Sequence, residues 1–261
     1  MKKILVRVCI ALVVLVVLAA LAVHFLLDSA VKRGVETIGP KLTKTEVTLG
    51  AVHISLLSGS GKITGLVVGN PEPYKTPHSI SVGTASLSIK PGSLLSDKLI
   101  IRSINVESPE ITFEGGLSGN NLSKILANLN EASSSGPGGT NVAGATPKED
   151  KKANKKLEVD DFTITGAKLT ANITDFGGKS LTIPLPTIHL SNLGTGPEGI
   201  TVTELTKQVI SAIEKESLEA ISSSAGDIGK AAENLTKGLG KNTGGAVSNV
   251  TKGIGNLFKK K

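Results

Sequence analysis

From Val47 onward, aliphatic side chains alternate with Ser, Thr and Lys in short runs, and the runs change phase at glycine. Val47 and Leu49 share one parity; after Gly50, Val52, Ile54 and Leu56 take the other. Ile80 and Val82 precede Gly83, and Ala85, Leu87 and Ile89 follow on the opposite parity. Phe162 and Ile164 precede Gly166, after which Leu169, Ala171 and Ile173 switch again. Period-two alternation predicts half-buried strands, and a phase change at glycine predicts a bulge or tight bend that sharpens the twist. Further strands are expected at 63–68, 99–106, 111–113 and 181–190. Pro184 and Pro186 remove ladder donors from the last of these, which places it at a sheet edge.

Helical spacing interrupts this pattern in three places. Residues 29–37 predict a short juxtamembrane helix ended by Gly39-Pro40. Leu122, Ile125, Leu126 and Leu129 recur at helix period. Thr201-Val202-Thr203-Glu204 reads as a capping box, followed by Leu205, Val209, Ala212 and Ile213 on one face. The expected fold is therefore mainly β with flanking helices: a curved, antiparallel, groove-like sheet between an N-terminal transmembrane helix and C-terminal amphipathic helices.

The transmembrane expectation rests on 8–27, VCIALVVLVVLAALAVHFLL, which carries no formal charge. As a helix, the run from Val8 through Leu15 to Leu27 spans ~30 Å, the thickness of a bilayer core. Lys2, Lys3 and Arg7 precede it and orient the N-terminus to the cytoplasm. The competing reading is a signal peptide cleaved after Ala20-Leu21-Ala22, although the apolar run continues beyond that site. The chain then divides into a stub and anchor (1–28), a β region (29–132), a small-residue, Pro/Gly and charged linker or long loop (133–156), a continuation of the β region (157–200) and a tail (201–261).

That tail repeats itself: AAENLTKGLG from Ala231 matches AVSNVTKGIG from Ala246. Leu235, Leu239, Val250, Ile254 and Leu257 can share one helical stripe, with Lys259 in the terminal lysine run, as in a basic amphipathic segment that binds anionic lipid. The alternative is a disordered, solvated tail.

Composition narrows the picture. Only 2% of the 261 residues are aromatic, which argues against a thick aromatic-centred core. Net charge is +7, concentrated in runs at both ends and at 151–156, so anionic surfaces are attracted. No nucleic-acid motif or aromatic stacking series accompanies the charge. The single cysteine, Cys9, lies in the apolar run, so no intrachain disulfide can form. His24, His53, His78 and His189 are scattered without a second ligand at metal-binding spacing. Gly59-Ser60-Gly61-Lys62 lacks the earlier glycine and the following hydroxyl of a phosphate loop and reads as a turn. Asp160 and Asp161, adjacent on a strand, point to opposite faces and do not form a carboxylate pair. No catalytic, cofactor or metal site is expected, and no enzymatic activity.

With these elements in place, the chain resembles the AsmA family of bacterial envelope proteins. The resemblance is carried by residues 63–115 and 157–194, in the order Asn70-Pro71, Ser93-Leu94-Leu95 and Pro109-Glu110. It implies a single-pass inner-membrane anchor, a periplasmic β body and a role in outer-membrane and envelope biogenesis, in a family similar to bridge-like lipid transporters. The lipid-groove candidates are Ile100, Ile104, Val106, Leu169 and Ile173, and the expected partners are phospholipid or membrane, with other envelope proteins. The chain departs from large members in lacking repeated β units. Two other readings stay open: a tethered structural or interaction domain without cargo, and a protective protein of the water-stress type. The apolar sheet face could equally be filled by the chain itself, as a sandwich or under the helices near 122 and 201.

Overall fold

The computed structural model describes residues 27–55, 58–134, 155–173 and 180–238. Its first helix, α1, covers residues 27–43. Strands follow at β1 (Val47–Ser55), β2 (Ser60–Val68), β3 (Ile80–Ile89), β4 (Lys98–Glu107), β5 (Glu110–Gly116) and β6 (Gly119–Asn120), then helix α2 (Asn121–Ser134). After residues outside the description come β7 (Lys156–Thr165), β8 (Lys168–Ile173), β9 (Ser180–Pro184), β10 (Ile188–Leu193) and helix α3 (Val202–Gly238). The strands form a single sheet, curled into a half-barrel.

Register joins all of these strands except β6 into six long ones. β4 pairs with β3 from Glu107↔Thr84, and β5 resumes the same ladder at Glu110↔Ser81 without a slip. β8 continues β7 along β4 and β5, and β10 continues β9 along β8 and β7, each in unchanged register. Every one of the six is interrupted at the same level. The interrupting residues are Gly50, Gly65, Gly83, Ser108, Gly166 and Pro186, and they lie side by side across the sheet.

Backbone geometry explains this seam. Gly65, Ser108 and Gly166 have φ of 65°, 47° and 64°. A Cβ on Gly50 would stand 2.9 Å from the Thr64 carbonyl oxygen, and one on Gly166 would stand 3.0 Å from Ser108 Oγ. Left-handed residues turn the strand and raise its twist, so the apolar parity changes there. Ile80 and Val82 below the seam, and Ala85 and Ile89 above it, consequently belong to one continuous core. A second, shorter interruption aligns Arg102, Asp160 and Asn192, the last with φ 57°.

The core lies between the sheet and two helices. Leu122, Ile125 and Leu129 of α2 and Ile210, Ile213 and Ile221 of α3 are buried against Phe113, Val159, Leu169 and Ala171. Burying each of the larger side chains stabilises the fold by about 1.5–3 kcal/mol. The Thr201 capping box starts α3: Glu204 N donates to Thr201 Oγ1 at 3.1 Å, and Thr201 N donates to the Glu204 carboxylate at 2.7 Å.

The sheet differs from the sequence expectation in direction. It is not antiparallel throughout, because β4–β7 and β5–β8 are parallel pairs. A parallel pair needs a long crossover, and α2 with residues 135–154 supplies one. α1 also continues through Gly39-Pro40 to residue 43 instead of stopping there. Gly39 serves contact with the sheet, since a Cβ on it would lie 2.9 Å from Val47 side-chain atoms. Pro184 and Pro186 do lie in an edge strand, as their missing donors require.

The two sheet edges are treated differently. Along β1, α1 covers the free backbone with side chains spaced four apart. Asp28 accepts from Ile54 N at 2.9 Å, Lys32 donates to the Gly50 carbonyl at 2.9 Å, and Glu36 accepts from Leu49 N at 3.1 Å. Beneath them Leu27, Val31 and Val35 pack on Leu49, Val52 and Ile54. No such helix-borne cover is found along β9 and β10 among the described residues.

Among the described residues no helix is long and apolar enough to cross a membrane. The expected anchor lies outside them except for Leu27, the first described residue of α1.

Candidate functional site

A cleft of about 790 Å³ opens between edge strand β10 and helix α3. Ile188, Leu190 and Ala212 supply apolar wall, while Lys207, Lys215, Glu204 and Glu216 surround it with charge, together with Gln208. Its size falls in the range of small-molecule sites. Two features of the sequence create it. Pro186 and Thr187 carry the edge strand across the seam, and the polar side of α3 faces the cleft while Ile210 and Ile213 face the core. His189 faces the cleft as well and contacts the Asp161 carboxylate. That contact, followed by the Thr163 hydroxyl, holds Asp161 below the ordinary carboxylate range. The lining is amphiphilic, with cations and carboxylates beside a short hydrocarbon surface. No group of three or more His, Cys, Asp or Glu side chains suited to a metal occurs among the described residues.

Four of the five expected groove residues lie in or against one core cluster, and Ile100 does not. Leu169 and Ile173 are buried in the core cluster. Ile104 and Val106 are half-buried against the same cluster, one strand inward. The bulge at Arg102 puts Ile101, not Ile100, in phase with them, and Ile100 stands outside the cluster. Helices α2 and α3 pack at β5, β6, β9 and β10, while Ile104 and Val106 of β4 stay half-buried. Of the tail residues, Leu235 falls within α3. Leu239, Val250, Ile254, Leu257 and Lys259 lie outside the described residues, as do Val8 and Leu15.

The three short motifs behind the family resemblance have structural roles. Asn70 donates to the Glu114 carboxylate at 2.9 Å and accepts from Asn121 Nδ2 at 2.9 Å. Glu114 also accepts from Lys75 N, Thr76 N and Thr76 Oγ1. Partial burial works against its charge, but these donors outweigh that and lower its pKa. The phenol of Tyr74 is raised by burial and by the facing Glu114 charge. Ser93 stitches β3 to β4, donating to the Lys90 carbonyl at 2.7 Å and accepting from Ile100 N at 3.0 Å. Pro109 is buried beside Ser108 in the seam.

Sequence reasoning did not find the β10–α3 cleft. Its available signal was the polar flank of α3, Glu204, Lys207, Gln208, Ser211 and Lys215, opposite an edge strand marked by proline. Comparison of the chain with protein-family models, with curated proteins and with solved structures finds no match.

Proposed function

We propose that this chain is a membrane-tethered phospholipid-handling protein of the bacterial envelope, AsmA-like in organisation, anchored in the inner membrane with its body in the periplasm. The β10–α3 cleft carries the reading. Its lining matches an amphiphile, with Lys207 and Lys215 for a phosphate and Ile188, Leu190 and Ala212 for the start of an acyl chain. Because Leu169 and Ile173 are buried in the core, the lipid site is read at this edge and not in the groove. A cleft of this size takes up one lipid in part, which suits uptake or hand-over better than bridging a periplasm.

Full-length protein in nanodiscs containing a phospholipid with a photoreactive acyl chain tests the proposal. Crosslinks mapped to peptides containing Ile188, Leu190 or Ala212, and reduced by Gln208→Trp, are expected. Crosslinks confined to residues 8–27 would overturn it.

The uncovered β9–β10 edge favours a second reading, an interaction domain that accepts a partner's strand. Protein crosslinks through Ser191→Cys, without lipid crosslinks in the cleft, would select that reading.

A further inference from the structure

We infer that the β1–β2 hairpin end of the sheet lies on the bilayer and that His53 and Lys62 form a binding site for an anionic phospholipid headgroup. The inference rests on the reading of residues 8–27 as a retained anchor, but not on the β10–α3 cleft.

Orientation comes from α1. The apolar run ends at Leu27, the first described residue of α1, and α1 runs antiparallel to β1: Asp28 meets Ile54, Lys32 meets Gly50 and Glu36 meets Leu49. A chain leaving the membrane at Leu27 therefore sets the hairpin end next to the headgroups and the Asn70–Glu114 end away from them. The apolar packing of Leu27, Val31 and Val35 makes this a stiff connection, not a free linker.

The hairpin end has the chemistry of a headgroup contact. A concavity of about 290 Å³ is lined by His53, Ser55, Ser60 and Lys62, with Ile54 and Gly61. His53 and Lys62 are register partners and both are exposed. Lys62 has no ion-pair partner among the described residues, while His53 is 3.7 Å from Asp28. A second lysine, Lys90, is exposed at the same end, held there by Ile89 N donating to the Gly59 carbonyl. Lys155 is anchored nearby by its contact with the Leu94 carbonyl. The acidic groups of this end are partly engaged already: Asp28 with Ile54 N, Glu158 with Lys98 and Glu204 with the Thr201 cap. Asp97, Asp160 and Glu198 are the remaining exposed carboxylates, and Asp161 is engaged by His189. A phosphate oxygen in the concavity would meet cations and hydroxyl donors, as strong anion contacts require.

The test uses full-length Cys9→Ala protein in nanodiscs carrying spin-labelled headgroup lipid, with and without phosphatidylglycerol. A fluorophore at Ser58→Cys is expected to be quenched, more strongly with phosphatidylglycerol, while one at Leu117→Cys stays unquenched. Lys62→Glu together with Lys90→Glu should lower the anionic-lipid dependence, about fivefold in apparent affinity for each lysine removed from an anionic surface. An unchanged melting curve would show that the double variant still folds. Equal quenching at both positions, or no response to the double variant in folded protein, would overturn the headgroup site. Release of the protein by carbonate would overturn the anchor reading and this inference with it, leaving the cleft proposal to its own crosslinks.

Discussion

Glu114→Gln should destabilise the fold by about 2 kcal/mol. In the native structure one carboxylate oxygen accepts from Asn70 Nδ2 at 2.9 Å, Thr76 N at 2.8 Å and Thr76 Oγ1 at 2.6 Å, and the other accepts from Lys75 N at 2.9 Å. A glutamine that keeps its oxygen toward Thr76 retains three of these bonds in neutral form, but its amide then faces the Lys75 donor. Charged bonds contribute about 1.5–3 kcal/mol each and neutral ones about 0.5–1.5, so weakening three and losing the fourth puts roughly 5 kcal/mol at stake before solvent screening of a part-exposed group reduces it. Urea unfolding followed by circular dichroism measures the difference, and the expected loss corresponds to about 4–8 °C in a thermal melt. The effect has a pH signature. The folded pKa is depressed, so the stabilisation is fully present above the ordinary glutamate value and is lost as pH falls through the folded one. Wild type and variant should converge in acid. Glu110→Gln, four residues away on the same strand and exposed, serves as the control. A loss below about 0.5 kcal/mol at neutral pH, or a difference that persists in acid, would refute the account.

Two further substitutions probe the seam and the helix start. Gly166→Ala combines a φ of 64° with a Cβ 3.0 Å from Ser108 Oγ and should cost about 1–3 kcal/mol in urea unfolding, whereas Gly83→Ala, with nothing within 4 Å and no left-handed φ, should cost far less. Thr201→Ala removes both the acceptor for Glu204 N and a donor to its carboxylate, so about 1 kcal/mol of stability should go, with the loss read by the same method.

The phase changes at Gly50, Gly83 and Gly166 were legible because they alter the alternation within one strand. Their alignment was not, since register is a property of pairs and a glycine says nothing about its neighbour across the ladder. Gly65 hid inside a short apolar run, and Ser108-Pro109 read as a gap between strands. The Arg102–Asp160–Asn192 interruption carries no glycine, so the relation of Asp160 to Asp161 and of Ile100 to Ile104 was read on an ideal pleat that the chain does not keep. Parallel pairing was hidden for a different reason: a crossover of α2 and residues 135–154 leaves no local mark on the strands it joins. The capping box and the α2 stripe were legible because their signals are entirely local. For the site, an edge strand was announced by Pro184 and Pro186, but a cleft beside it depends on how far α3 stands away.

The treatment of the two edges bears on whether the apolar run is kept or cleaved. A bare edge strand invites pairing with other chains, and α1 prevents this on β1 through Asp28, Lys32 and Glu36. All three lie after Ala22, as do Leu27, Val31 and Val35 in the packing beneath them. Cleavage at that site would leave the edge guarded and the core intact. Measurements on these contacts therefore do not distinguish an anchored from a released form. Position does. In a released body the hairpin end has no fixed relation to a membrane, and the β10–α3 cleft meets lipid only by diffusion. On the proposed reading, an anchored body keeps the hairpin beside the headgroups and the cleft, on the opposite edge of the sheet, within reach of the same membrane.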